Sequence, residues 1–395
     1  MKRISNIVDL DCGYIQQKPL VGRPHIAFLL GAGFSIPMGY PSASYINTKL
    51  KEFNFSQNDK GFQDYSQEYI DYLGKFIRKY TEENQNQFDY EQFYDFFRTN
   101  EPKKNCYESI YKEMVGKSIK YNDFLHKISE IYDKIIESMI HDKYGKNRYN
   151  ENITEDSRDG YDRFLEYLSK LSENYIVDVH TLNHDLLFES FRNIHRLNGK
   201  ISDGFDEFGS NYFGELGNED CSYRCRLERY TGRYRTAIRL YKLHGSLDYR
   251  MFFRRDSNGS AIPDKMVKIK DGIRHDYLMK NNSSKFNYLK SDCSSHPDFL
   301  SGTNTKIKRY KDPFYKNLLK KFKSNLQKAE KLIIIGYGCK DKEINEYVKK
   351  YFDFRINQTF IITPNPNDDV ERFRTEVKGK IHAISIEDIT SDLFI

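Results

Sequence analysis

The chain has 395 residues, 38% hydrophobic and 30% charged, and its 63 basic and 57 acidic side chains leave a net charge of +6. That composition suits a soluble globular protein with room for two lobes, and no apolar run approaches the roughly 18 residues that cross a membrane. So small a net charge makes the clusters Lys320–Lys323 and Arg224–Arg233 solvated faces, and direct nucleic-acid binding is not expected.

The first apolar run, His25–Leu30, is continuous rather than alternating, the pattern of a strand covered on both faces. It ends in Gly31-Ala32-Gly33-Phe34-Ser35, with Pro37 and Gly39 beyond. Two glycines at a strand-to-helix turn let the backbone approach a pyrophosphate, whose charge is met by N–H groups at the helix start. Ile36 stands where the usual spacing has a third glycine, and tight packing alone would also explain such a turn. The absence of G-x-x-x-x-G-K-[ST] argues against a P-loop.

From 54 to 157 strand-like runs disappear. Gln67–Tyr80, Tyr90–Arg98 and Tyr121–Tyr144 read as charged, aromatic-rich helices of a lobe inserted after the first β-α unit. The sheet pattern resumes with a helix over Phe164–Ser172 and a strand over Tyr175–His180. Thr181-Leu182-Asn183-His184-Asp185 follows, and then a helix over Asp185–Asn198. At a strand's C-terminal end Asn183 and Asp185 would project into the crevice of an open sheet; alternatively, either one simply caps the helix. Lys200–Gly232 and Arg254–Thr305, rich in small, polar and charged residues, read as irregular cover segments.

Between those segments the strand Arg239–Leu243 leads into His244-Gly245-Ser246. A His there has a pKa suited to general base work near neutrality, and is as readily a structural residue. The rest alternates: helix Tyr315–Ala329, strand Leu332–Ile335 ending in Gly336-Tyr337-Gly338, helix Asp341–Tyr351, strand Thr359–Thr363 before Pro364-Asn365-Pro366, and strand Ile381–Ile386. The expected fold is α/β, a doubly wound Rossmann-like parallel sheet over 1–53 and 158–395, with 54–157 as an inserted helical lobe. Successive strands ending in glycine or small polar residues at one edge mark a ligand crevice.

Taken as a set, Gly31–Ser35, Thr181–Asp185, Leu243-His244-Gly245, Gly336-Tyr337 and Asn365 resemble the sirtuin-like NAD-binding family, in particular its bacterial anti-phage defence branch. Phe88-Asp89-Tyr90-Glu91 is similar to a short acidic motif of that branch. The resemblance implies that Gly31, Ala32, Gly33, Phe34 and Ser35 cradle the pyrophosphate of NAD+. It implies catalytic roles for Asn183, on the ribose side, and for His244, as general base. Asp185 would contact the nicotinamide amide, and Gly336, Tyr337 and Asn365 would line the adenosine half; His184 receives no role.

Two departures bear on the reaction. Sirtuin deacylases carry a zinc lobe built on two paired-cysteine motifs, whereas Cys12, Cys106, Cys221, Cys225, Cys293 and Cys339 are scattered, so neither a zinc lobe nor a metal is expected. Gly39-Tyr40-Pro41-Ser42-Ala43-Ser44 replaces their Gly-Ile-Pro-Asp-Phe-Arg run. Both favour hydrolysis of NAD+ to nicotinamide and ADP-ribose over an NAD-dependent deacylase or ADP-ribosyltransferase; a non-catalytic NAD-binding scaffold is the remaining alternative. The resemblance further implies a restrained, cytoplasmic homo-oligomer working with a separately encoded partner such as a HerA-type ATPase. The start of the chain, lacking a signal-peptide apolar stretch, agrees with that location. With 31 Tyr and 28 Phe, the helical lobe is the expected assembly surface, unless its aromatics form a core of their own.

Overall fold

The computed structural model describes residues 20–59, 62–98, 111–112, 121–140, 158–217, 222–269, 273, 278–281, 288–290, 292–294, 296–298, 304–390 and 393. In chain order, β1 (His25–Leu30) is followed by helices α1 (Ala43–Glu52), α2 (Gln67–Glu83), α3 (Tyr90–Arg98), α4 (Tyr121–Met139) and α5 (Asp162–Asn174). Next come β2 (Ile176–Thr181), the single turn α6 (Leu187–Ser190), β3 (Ile201–Ser202), β4 (Gly204–Asp206), β5 (Tyr212–Gly217), β6 (Ser222–Arg226), β7 (Glu228–Arg233) and β8 (Ile238–Lys242). β9 (Tyr249–Arg255), β10 (Ala261–Lys268), β11 (Met279–Asn281) and β12 (Tyr288–Lys290) precede α7 (Asn304–Arg309) and α8 (Pro313–Lys328). The chain closes with β13 (Ala329–Ile335), α9 (Lys342–Tyr351), β14 (Gln358–Ile362), α10 (Asp368–Glu376) and β15 (Lys380–His382).

The seven-stranded sheet runs β15-β14-β13-β1-β2-β8-β3, and every pairing in it is parallel. It is the doubly wound α/β arrangement expected. Along β1, Ile26, Phe28 and Leu30 enter one core with α5, while Ala27 and Leu29 enter the other with α8, α9 and α10. The two-residue period of a strand makes both faces apolar, hence the unbroken hydrophobic runs. The chain leaves β1 towards β2 and β8, then returns to β13 on the opposite flank of β1. The switch point lies between β1 and β13, where open sheets of this kind take their ligands.

Helices α2, α3 and α4 bury a third core with Ile46 and Leu50 of α1. On α4, Phe124, Ile128, Ile131 and Ile135 recur at helical spacing along one face. Tyr72, Phe76, Tyr80, Phe93 and Tyr132 are buried within this core. Those aromatics are therefore interior, not an exposed assembly surface. The stretch up to Tyr144 expected at the end of α4 lies beyond Ile140 and outside the described residues.

Two expectations need correction. The supposedly irregular Lys200–Gly232 and Arg254–Thr305 segments build two antiparallel sheets, β4-β7-β10-β9 and β12-β11-β5-β6. Most of these strands are short or, like Glu228–Arg233, bury a single residue among polar ones, so they carry no continuous apolar signal. The expected Asp185–Asn198 helix is one turn of α-helix followed by two 3₁₀ turns, Phe191–Asn193 and His195–Leu197. Phe188, Phe191, Ile194 and Leu197, all buried, recur every third residue. That is the spacing at which 3₁₀ side chains eclipse.

Within the sheet, His180 is fully buried, with Nδ1 3.1 Å from the Phe28 carbonyl oxygen and Nε2 3.1 Å from Asn325 Nδ2. A carbonyl only accepts, so Nδ1 carries the proton, and the Asn325 amide donates to a bare Nε2. Burial pushes the His180 pKa down to about 4, against the opposing pull of Asp178. The unfolded chain binds a proton near pH 6.5 while the folded chain refuses it, so stability is complete above that pH and falls on acidification towards the folded pKa. The expected loss through His180 is about 3 kcal/mol, read as a falling urea midpoint that a His180→Gln variant flattens.

Candidate active site at the sheet switch point

Gly31 and Gly33 sit where the ends of β1 and β13 press together. A Cβ on Gly31 would lie 2.6 Å from the Tyr337 Cα, and one on Gly33 would lie 2.7 Å from the Gly336 Cα. The amides of Gly31 and Gly33 donate to the carbonyls of Ile335 and Gly336, and those of Phe34 and Ser35 to Gly31 and Ala32. No α-helix starts here: two 3₁₀ turns, Ala32–Phe34 and Ile36–Met38, intervene before α1. Four of the five amides of the turn thus donate inside the protein, and the glycines serve backbone-to-backbone packing. Phe34 faces away from the crevice, with its ring in the core against Tyr161, Phe164, Phe188 and Phe191. Ala32 is exposed, as is Ile36 at 44%, so the outer rim of the turn is what a ligand would meet.

Asn183 reaches across from the end of β2 to this turn. Its Nδ2 lies 3.0 Å from the Gly31 carbonyl oxygen and 2.9 Å from Ser35 Oγ. Since a carbonyl only accepts, nitrogen must face Gly31, both amide hydrogens are used, and what Asn183 can offer a ligand is its Oδ1. Neither residue is the helix cap, which is Leu186; Asp185 lies just before it, its Oδ1 accepting from the Leu187 amide at 3.0 Å. The Ser35 hydroxyl also donates to the Asp185 carboxylate. Burial raises the Asp185 pKa, and Lys242 opposes the rise. Behind it, Lys242 and Glu189, both about 1% exposed, form an ion pair of 3.1 Å.

His244 continues β8, the strand next to β2, and its ring stands 6.3 Å from that of His184. It is 4% exposed, with Nε2 hydrogen-bonded to the Tyr310 hydroxyl at 3.1 Å and 3.4 Å from Asp341 Oδ2. Burial, with the charge of Lys306 adding to it, holds the His244 pKa well below its ordinary value, so the ring is neutral at physiological pH. A neutral imidazole has a lone pair to offer, as a general base requires. Gly336, with φ of 61°, is packed on Gly33 and Phe34. Tyr337 is buried, its hydroxyl donating to Asn345 Oδ1 at 2.9 Å, and Asn365 is exposed past the end of β14.

The residues singled out in the sequence therefore divide. Asn183, Ser35 and Asp185 form one hydrogen-bonded group at the switch point, with His244 on the neighbouring strand end. Gly336 and Phe34 are structural. Tyr310 and Lys306 escaped the sequence reading because no motif or period marks them. Asp341 was legible only as the residue opening α9, which it does by accepting from the Glu343 and Ile344 amides.

No family model and no curated protein matches the chain. Solved structures similar to it include a Sir2 homologue–NAD complex, at 12% identity and a TM-score of 0.37, covering 94% of this chain and 89% of that one. Another is a Sir2 homologue mutant with 2'-O-acetyl ADP ribose, at 12% identity and a TM-score of 0.38, covering 96% and 93%. A third is Sir2 bound to acetylated peptide, at 11% identity and a TM-score of 0.34, covering 93% and 91%. Likeness at this level says nothing of activity. Among the described residues no three of His, Cys, Asp and Glu gather as metal ligands, and no helix is long and apolar enough to cross a membrane.

Proposed function

We propose that the chain is an NAD+ glycohydrolase that breaks the nicotinamide–ribose bond. The observation carrying this reading is the commitment of the Asn183 amide nitrogen to the glycine turn, which leaves its carbonyl oxygen for a ligand, with a neutral His244 following the neighbouring strand β8. The substrate is supplied by the resemblance of the strand-end motifs to sirtuin-like NAD-binding proteins. Nicotinamide departs as a neutral base with the electron pair of the broken bond, and positive charge develops at the ribose anomeric carbon. Asn183 Oδ1 orients the ribose or the incoming water, and water adds its oxygen to that carbon. His244 accepts the water's proton and passes it to solvent, leaving ADP-ribose. The lobe of 54–157 is taken as an insertion into the NAD-binding domain of 1–53 and 158–395. By the same resemblance the protein acts in anti-phage defence, as a homo-oligomer with a separately encoded partner such as a HerA-type ATPase.

The test is NAD+ consumption by the full chain, alone and with the product of the neighbouring gene, with chromatography of the products. Nicotinamide and ADP-ribose should appear in equal amounts, and His244→Ala should slow their release at least ~100-fold. Release that requires an acetyl-lysine peptide would point instead to a deacylase. A second reading, a scaffold that binds NAD+ without turnover, draws on the burial of His244 under Tyr310. Tight binding with no product, with or without the partner, would decide for it.

A further inference from the structure

His244 is surrounded by groups from elements other than its own strand. His184 faces it from the end of β2, and Tyr310, just past α7, hydrogen-bonds to Nε2. Asp341, the N-cap of α9, divides its oxygens: Oδ1 holds the helix amides, while Oδ2 lies 3.4 Å from His244 Nε2 and 3.8 Å from Lys306 Nζ. Lys306 is only 7% exposed and is gripped by both carboxylate oxygens of Glu91, at 3.0 and 2.9 Å, from α3 of the inserted helices. Glu343 stands farther out, within reach of the charges of Asp341 and Lys306. An apolar pair would hold α3 on α7 as well as a buried ion pair does, so charge at this junction needs a reason beyond adhesion.

Resting on His244 as the base of the proposed reaction, we propose that Tyr310 and Asp341 are its positioning residues and that the Glu91–Lys306 ion pair keeps both in place. The base is complete only while α3 is seated on α7. A carboxylate can only accept, so Asp341 favours the tautomer with the proton on Nε2 and the lone pair on Nδ1. With the proton on Nε2, the Tyr310 oxygen accepts alongside Asp341 and fixes the plane of the ring. Without Glu91, Lys306 turns fully to Asp341 and draws that carboxylate from the imidazole.

The test uses the full chain with isotope-labelled histidine, the His244 signals being assigned by their loss in His244→Gln. Imidazole nitrogen shifts report the tautomer whether or not the chain turns over. The wild type should show one neutral tautomer with the proton on Nε2. Tyr310→Phe and Asp341→Asn, the latter keeping a good helix cap, should show a mixture of tautomers. Glu91→Gln and Lys306→Met should move the same way by less, with circular dichroism unchanged. In NAD+ cleavage Tyr310→Phe and Asp341→Asn should lower kcat about tenfold and Glu91→Gln and Lys306→Met by less, all four holding KM within about twofold. An unchanged tautomer in Tyr310→Phe and Asp341→Asn overturns the positioning role. A change confined to those two, with Glu91→Gln and Lys306→Met like wild type, overturns the part assigned to the inserted helices. Full cleavage by His244→Ala removes His244 from the reaction, and no cleavage by the wild type sinks the hydrolase reading; either leaves the tautomer result standing on its own.

Discussion

Replacing Asn183 by Ala should lower the rate of NAD+ cleavage by about two to three orders of magnitude, the loss typical when one pre-placed polar group is removed from a transition state. The change removes Oδ1 from the crevice and also the two donations that tie the end of β2 to Gly31 and Ser35. Those donations are worth about 1 kcal/mol each, so the variant should stay folded with a modestly lower melting temperature. Asn183→Asp separates the two effects. It keeps an oxygen on each side but has no donor, so a carboxylate would face the Gly31 carbonyl and lose the tie. If anchoring by Nδ2 sets the position of Oδ1, Asp fails as badly as Ala; if any oxygen at that place suffices, Asp recovers activity. Turnover by chromatography and NAD+ affinity by calorimetry, measured together, decide. A variant that keeps half the wild-type rate would remove Asn183 from the reaction.

How much of this could be read from the chain follows from how each signal arises. β1 occupies His25–Leu30 as expected, and the other sheet strands except β3 lie within a few residues of their apolar runs, because both faces of the sheet are buried and the hydrophobicity is continuous. β3 to β7 and β9 to β12 were not expected as strands: β3, β4, β11 and β12 have only two or three residues, and β7 buries a single residue, so no continuous apolar run marks them. The Phe188–Leu197 segment reads as an α-helix by composition, and its three-residue spacing becomes diagnostic only once the buried positions are known. Asn183, Asp185 and His244 were legible because each follows a strand in a sheet whose strand ends share one edge. Lys306 and Tyr310 were not, since their place depends on long-range contacts, Tyr310 with His244 and Lys306 with Glu91, that no period announces. Glu91 lay in a motif, but its partner, 215 positions away, was invisible.

Gly336→Ala should be the most destabilising single-methyl change at the switch point, costing about 2–5 kcal/mol by chemical denaturation. Two penalties combine. The residue has φ of 61°, a region that costs an L-residue about 1–2 kcal/mol. Its Cβ would also stand 2.3 Å from the Phe34 nitrogen and 2.4 Å from the Gly33 carbonyl carbon, both main-chain atoms with no rotamer to escape through. Relief requires the ends of β1 and β13 to part, at the usual cost of overpacking of about 1–3 kcal/mol. Gly259→Ala is the control, because its φ is 80° and nothing lies within 4 Å of the added carbon. It should lose only the conformational share, about 1 kcal/mol. Parting the strand ends also moves the Gly31 carbonyl to which Asn183 is tied, so Gly336→Ala protein that remains folded should cleave NAD+ poorly while Gly259→Ala cleaves it normally. Equal stability of the two variants would show that the turns at the ends of β1 and β13 yield freely, and the glycines would then owe their place to something other than this contact.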